Sequence, residues 1–202
     1  MGKKSESKLT KHSVLRASSS LVSALPRTRR FSKQSLYAFL DRYKKVIVKP
    51  ATGSGGAGVM LVTRKTKNRY RVQRGPAQLT LGGKLETYRY LRRKITTPYL
   101  IQRGITLARV NDSLFDVRVM VQKRPGSPWV VTGMLAKVAG KGYIITNVKR
   151  SKGRVLPIRL AIQRSSIRGA SASTIIARLR RIAILVGTLL HTPESLRAGY
   201  GH

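Results

Sequence analysis

Val46–Val59 reads VIVKPATGSGGAGV, an apolar run that ends in Lys49 and opens into a loop of glycines. Val46, Ile47 and Val48 predict a strand. Lys49 puts a point charge at its end, and Gly53, Gly55, Gly56 and Gly58 allow backbone N–H groups to approach an anion closely. Such a stretch is suited to phosphate. Its order differs from a Walker A loop, where the lysine follows the glycines and opens a helix, and from GxGxxG before a helix. Here the lysine comes first, and Val59, Met60, Leu61 and Val62 read as a second strand. The segment therefore predicts a glycine hairpin folding over phosphates. Its plain structural counterpart is a β-hairpin with a Gly/Ser turn.

Upstream, residues 1–31 are basic and serine-containing and end in Leu25-Pro26-Arg27-Thr28, which reads as an irregular leader. Ser32 is placed to cap a helix with Leu36, Phe39, Leu40 and Tyr43 on one face. Downstream, Arg69 to Gln73 reads as a strand. Gly82 to Ile95 reads as a helix with Leu85, Tyr88 and Leu91 inward, stopped at Thr97 and Pro98. Tyr99 to Ile105, YLIQRGI, is a further strand.

In FDVRVMVQK, strict alternation sets Phe115, Val117, Val119 and Val121 on one face and Asp116, Arg118, Met120 and Gln122 on the other. The Arg124–Pro128 turn returns the chain into Trp129 to Ala139, predicting an antiparallel hairpin. A second turn at Gly140 to Gly142 leads through Asn147 and Arg150. Ser173 to Leu190 then predicts an amphipathic helix, with Ile175, Ile176, Leu179, Ile182, Ala183, Val186 and Leu190 on its apolar side.

The 202 residues suffice for one domain or two small lobes, and 41% hydrophobic content supports a core. Forty-two Lys and Arg face six acidic residues, a formal charge of +36, so polyanions, nucleic acid among them, are expected to bind at least non-specifically. The charge is spread along the chain and locates no site. Aromatic residues are only 6%, and neither an RNP-like aromatic pair nor a helix-turn-helix pattern is present. Cysteine is absent, which excludes disulfides and thiol chemistry, and three scattered histidines make a zinc site a poor expectation. No apolar run reaches membrane-spanning length, and a cytoplasmic location is the default expectation.

Three separated segments agree with one family: VIVKPATGSGGAGV, YLIQRGI, and FDVRVMVQK followed by WVVTGMLAKVA and TNVKR. Together they resemble the ATP-grasp superfamily, in its YheC/YheD-like, endospore coat-associated branch, and LPRT is similar to that branch's leader. The resemblance covers roughly residues 9–190. It implies an α+β, ATP-grasp-like fold of two small lobes with antiparallel sheets and flanking helices. Residues 1–31 would be a basic leader, 32–98 the glycine-loop lobe and 99–202 the second lobe.

The implied function is ATP-dependent joining of a carboxylate to an amine through an acyl phosphate, with magnesium on the transferred phosphate. Lys49 would contact the nucleotide phosphates, and Gly53, Ser54, Gly55, Gly56 and Gly58 would form a mobile lid. Gln102, Arg103 and Ile105 would line the strand where adenine docks. Asp116 would lie near the ribose or second substrate and Arg118 near the transferred phosphate, with Lys137 and Asn147 projecting toward the phosphate end. A spore association in a bacterium is implied too, whereas the carboxylate and amine substrates are not identified.

Each placement has a plain counterpart. Asp116 with Arg118 is equally readable as a same-face ion pair, Gln102 as a solvent-facing residue, Lys137 as a lysine snorkelling from a half-buried strand, and Asn147 as a turn residue. The chain also departs from the family pattern. Lys137 stands where related proteins tend to carry arginine, and Ser151 and Lys152 replace paired glycines. The acidic residues that hold magnesium are expected on strands after the long helix, where this sequence reads HTPESLRAGYGH, with Glu194 the only acidic residue after Asp116. The expectation is a C-terminally truncated domain that binds ATP, has no metal ligands of its own and is incomplete or weakly active by itself.

Overall fold

The computed structural model describes residues 7–191. Its first elements depart from the sequence reading of an irregular leader, because Lys8–Arg16 forms a helix, α1, and Ser19–Val22 a short one, α2. None of the residues of KLTKHSVLR is buried, so no core face holds this helix. The start of α1 is fixed instead by a distant partner, the carbonyl of Ala51, which accepts the Lys8 N–H at 2.9 Å. The rest of the leader contributes a strand, β1 (Thr28–Arg30).

Ser32 caps α3 (Lys33–Arg42) as its position predicts: its hydroxyl accepts the Ser35 N–H, and the Ser35 side chain returns the bond to the Ser32 N–H. Leu36, Phe39 and Leu40 are buried. The chain then forms β2 (Lys45–Pro50), the glycine loop, β3 (Met60–Arg64) and β4 (Arg69–Arg74). A strand absent from the sequence reading follows, β5 (Ala77–Gly82); Ala77, Leu79 and Leu81 alternate with Gln78 and Thr80, but only Leu81 of it is buried. Next come α4 (Gly83–Lys94) and β6 (Tyr99–Arg103).

On α4 the buried residues are Thr87 and Leu91, while Leu85, expected inward, is 43% exposed. Leu85 and Leu91 are six residues apart, about one and two-thirds turns, which places them on different faces.

The second half contains β7 (Arg109–Val110), β8 (Ser113–Gln122), β9 (Val130–Val138), α5 (Val148–Ser151), β10 (Arg154–Pro157), α6 (Ile158–Gln163) and α7 (Ala172–Leu189). β8 and β9 form the expected antiparallel hairpin, with a bulge between Met120 and Val121. β7 turns into β8 through Asn111 and Asp112, both at positive φ, the backbone a two-residue type I′ hairpin needs.

The fold is α+β, with two antiparallel sheets and flanking helices. The chain divides into two compact units, one made of Ser23–Thr106 with the chain up to His12, the other of Ser13–Val22 with the chain from Leu107. In the first, strands run β1-β6-β2-β3-β4-β5. One face of this sheet packs on α3 and α4 through Val46, Val48, Met60, Val62, Tyr70, Val72 and Ile101. In the second, the order is β10-β9-β8-β7. Phe115, Ala136 and Val138 form its core with Val110 and Ala161, and Gly187 brings α7 against Val121 and Trp129. No helix among the described residues is long and apolar enough to cross a membrane.

Candidate functional site

In the first unit the glycine loop has the backbone its sequence requires. Gly53, Gly55, Gly56 and Gly58 all take positive φ, between 70° and 80°, a region open to glycine at little cost. Ser54 is exposed within it. The loop is anchored at its base, where the Ala51 N–H donates to the Pro98 carbonyl at 2.9 Å.

Lys49 lies on β2 just before this loop. Its ammonium donates to Oε1 of Gln102 on β6 at 2.6 Å, and Gln102 Nε2 donates to Thr28 Oγ1 on β1 at 3.0 Å. Gln102 is thus not a solvent-facing side chain but a bridge across three strands. Burial, and after it the charge of Lys8, hold the Lys49 ammonium below the ordinary lysine range.

Lys8 is the residue that sequence reasoning missed. Its ammonium donates to the carbonyls of Pro50 at 2.9 Å and Thr52 at 2.6 Å, the entrance of the loop, and burial lowers its pKa too. The leader thereby delivers a second cation beside Lys49. Among the described residues neither lysine makes an ion pair. The described acceptors of these two desolvated ammonium groups are all neutral, an arrangement that favours an anion.

Arg103 and Ile105 also belong to this unit. Their side chains are exposed, and the N–H groups of Arg103 and Gly104 are already bonded to the carbonyls of Arg27 and Lys45. The same unit holds a cavity of about 380 Å³ lined by Phe31, Tyr88, Arg92 and Tyr99 among others; none of the residues expected from the sequence lines it.

Asp116, Arg118, Lys137 and Asn147 lie in the second unit. Arg118 forks onto Asp116, with Nε to Oδ1 at 3.2 Å and Nη2 to Oδ2 at 2.8 Å. The buried Thr146 hydroxyl donates to the same Oδ2 at 2.7 Å. Lys137 pairs in register with Asp116 and so shares its face. Asn147 caps α5, its Oδ1 accepting the Arg150 N–H at 3.0 Å, so one end of its amide serves the backbone.

A family model described as YheC/D like ATP-grasp matches residues 1–195. The chain belongs to the YheC/D-like ATP-grasp family. Two curated relatives come from Bacillus subtilis (strain 168). "Endospore coat-associated protein YheC" is 23% identical over 128 residues, covering 61% of this chain and 35% of that protein. "Endospore coat-associated protein YheD" is 28% identical over 113 residues, covering 52% of this chain and 24% of that protein. The matched stretch thus spans about a third or less of the curated relatives' length.

ATP and magnesium use belong to the family as a whole, and the residues here suit the two unequally. The Lys8–Lys49 pair and the positive-φ glycines suit a polyphosphate. Magnesium is poorly suited by the described carboxylates, which do not cluster: Asp41 pairs with Lys84, Glu86 accepts the Gly82 N–H, Asp112 sits in the β7–β8 turn, and Asp116 is bonded by Arg118 and Thr146. No group of three potential metal-binding His, Cys, Asp or Glu occurs among the described residues.

Proposed function

We propose that this protein binds ATP, with the first unit gripping the phosphates. Lys49 and Lys8 supply the charge, and the backbone of Gly53, Ser54, Gly55, Gly56 and Gly58 folds over the phosphates. The observation that carries this reading is the placement of two depressed lysines at the mouth of the glycine loop with no carboxylate partner among the described residues. Such an arrangement is costly without an anion and is relieved by one. Gln102 and Arg103 on β6, with Ile105 just beyond it, extend the site toward the base.

The reaction class proposed is the family's, an ATP-dependent ligation of a carboxylate to an amine. Arg118, Lys137 and Asn147 are its candidate phosphate-end residues and Asp116 its candidate contact for the ribose or second substrate. A spore association, taken from the printed names of the relatives, belongs to the same proposal.

Calorimetric titration with ATP, with and without magnesium, tests the binding step. Saturable binding that Lys49→Ala abolishes and Lys65→Ala leaves intact supports it. Equal loss from the two changes, with binding that any polyanion displaces and salt erodes steeply, would instead make the +36 charge the whole explanation.

A further inference from the structure

The LPRT stretch has a chemical role in the bonding around Lys49. Thr28 donates its single hydroxyl proton to the Pro26 carbonyl at 3.0 Å. The Pro26 carbonyl can only accept, so the Thr28 oxygen has only lone pairs left for Gln102. The Gln102 amide must then present Nε2 to Thr28, at 3.0 Å, which turns Oε1 toward Lys49, at 2.6 Å. An ammonium can only donate. Both ends of the relay therefore allow one direction, and the amide orientation follows from its partners and not from convention.

We propose that Thr28 is a positioning residue for Lys49: by fixing which end of the Gln102 amide faces the ammonium, it holds Lys49 at the loop without neutralising it. The register supports this, since Thr28 lies directly opposite Gln102, and Gln102 opposite Ile47, two residues before Lys49 on the same face. A carboxylate at position 102 would hold the lysine as firmly but cancel its charge. The neutral amide leaves the charge available to an anion. His12 adds a second bond to the Pro26 carbonyl, through Nε2 at 3.0 Å, and so helps to hold the far end of the relay.

Without Thr28 the amide gains freedom to flip, and in the flipped state its Nε2 faces Lys49, donor against donor. The inference rests on the phosphate reading of Lys49, but it can be read without nucleotide. In nitrogen-15-labelled protein, Gln102 is expected to show two separate, slowly exchanging carboxamide protons. Thr28→Val should speed their exchange and move the Lys49 titration to lower pH, and Thr28→Ser should restore both. Unchanged Gln102 signals and Lys49 titration in Thr28→Val overturn the proposal. Gln102→Met, which removes the acceptor altogether, should lower the Lys49 titration in the same direction; no movement there overturns it as well, whether or not Thr28→Val folds.

ATP titrations of the same proteins separate the two readings. Thr28→Val should weaken binding by up to about tenfold, the upper worth of one neutral hydrogen bond, with recovery in Thr28→Ser. If wild-type protein binds no ATP while the Gln102 and Lys49 signals respond as described, the relay stands and the phosphate reading falls.

Discussion

The Tyr99 hydroxyl lies against the Cα of Gly58, so that a Cβ added at Gly58 would collide with it and stand 3.1 Å from Pro50 Cγ. The last glycine of the loop is therefore packed, whereas Gly53, at φ +76°, has nothing within 4 Å of the same position. Gly53→Ala should cost about 1 kcal/mol, the left-handed backbone term alone. Gly58→Ala should cost roughly 1–3 kcal/mol more through overpacking. Thermal and denaturant unfolding of the two variants would show the difference; equal losses would mean that Tyr99 does not brace the loop.

Lys49 and Lys8 make ATP binding pH-dependent with a definite sign. Burial and mutual repulsion favour the neutral amines, so Lys49 begins to lose its proton below the ordinary lysine range. A bound polyphosphate favours the ammonium. Affinity should therefore hold at neutral pH and fall as pH rises through the lowered Lys49 value, with proton uptake on binding in that window. Lys8→Ala should move the Lys49 titration upward while weakening ATP. Calorimetry in buffers of different ionisation enthalpy measures the proton uptake, and an affinity flat up to the ordinary lysine range would contradict the assignment.

Gln102→Glu should replace an amide bridge with an ion pair to Lys49. A negative charge so close to the ammonium raises the Lys49 pKa, keeps or increases thermal stability, and repels phosphate. Loss of ATP affinity on the order of 100-fold is expected from the added charge. A variant that binds ATP as wild type does would show that the uncompensated charge of Lys49 is not what attracts the nucleotide.

Asp116 and Arg118 should differ in structural weight although they share one ion pair. Arg118 is 56% exposed at its side chain, so Arg118→Ala should change stability by less than about 1 kcal/mol. Asp116→Ala strands the buried Thr146 hydroxyl and should cost about 1–3 kcal/mol. Chemical denaturation distinguishes them, and equal costs would remove Thr146 from the account.

Much of the fold is legible because its signals are local. Ser32 and the apolar face behind it define α3, the run from Val46 through the glycines defines the β2–β3 turn, and alternation from Phe115 defines β8. The glycine backbone was readable for the same reason. What could not be read depends on distance along the chain. Lys8 finds its carbonyls more than forty residues away, Thr28 meets Gln102 across 74, and the helix starting at Lys8 buries none of its residues. β5 alternates over Ala77, Leu79 and Leu81, but the run is short and follows the Gly75–Pro76 turn, and its pairing with β4 is what completes it. Leu85 shows the opposite failure, an apolar residue counted inward by type when helical phase turns it outward.

Three of the four described carboxylates hold a partner in place, and the fourth acidic residue, Asp112, occupies a special backbone position. Asp41 binds Lys84, Glu86 caps the start of α4, Asp112 fills a left-handed turn position, and Asp116 ties Arg118 to Thr146. The cations are far more numerous, and among the described residues Lys84 and Arg118 are the ones paired with a described carboxylate. Substitutional tolerance should be correspondingly lopsided. In a random library, exchanges at these few acidic positions, Asp116 above all, would be tolerated less well than at most exposed arginines and lysines. In this chain the scarcity of acid, more than the abundance of base, marks the places where a side chain is structurally committed.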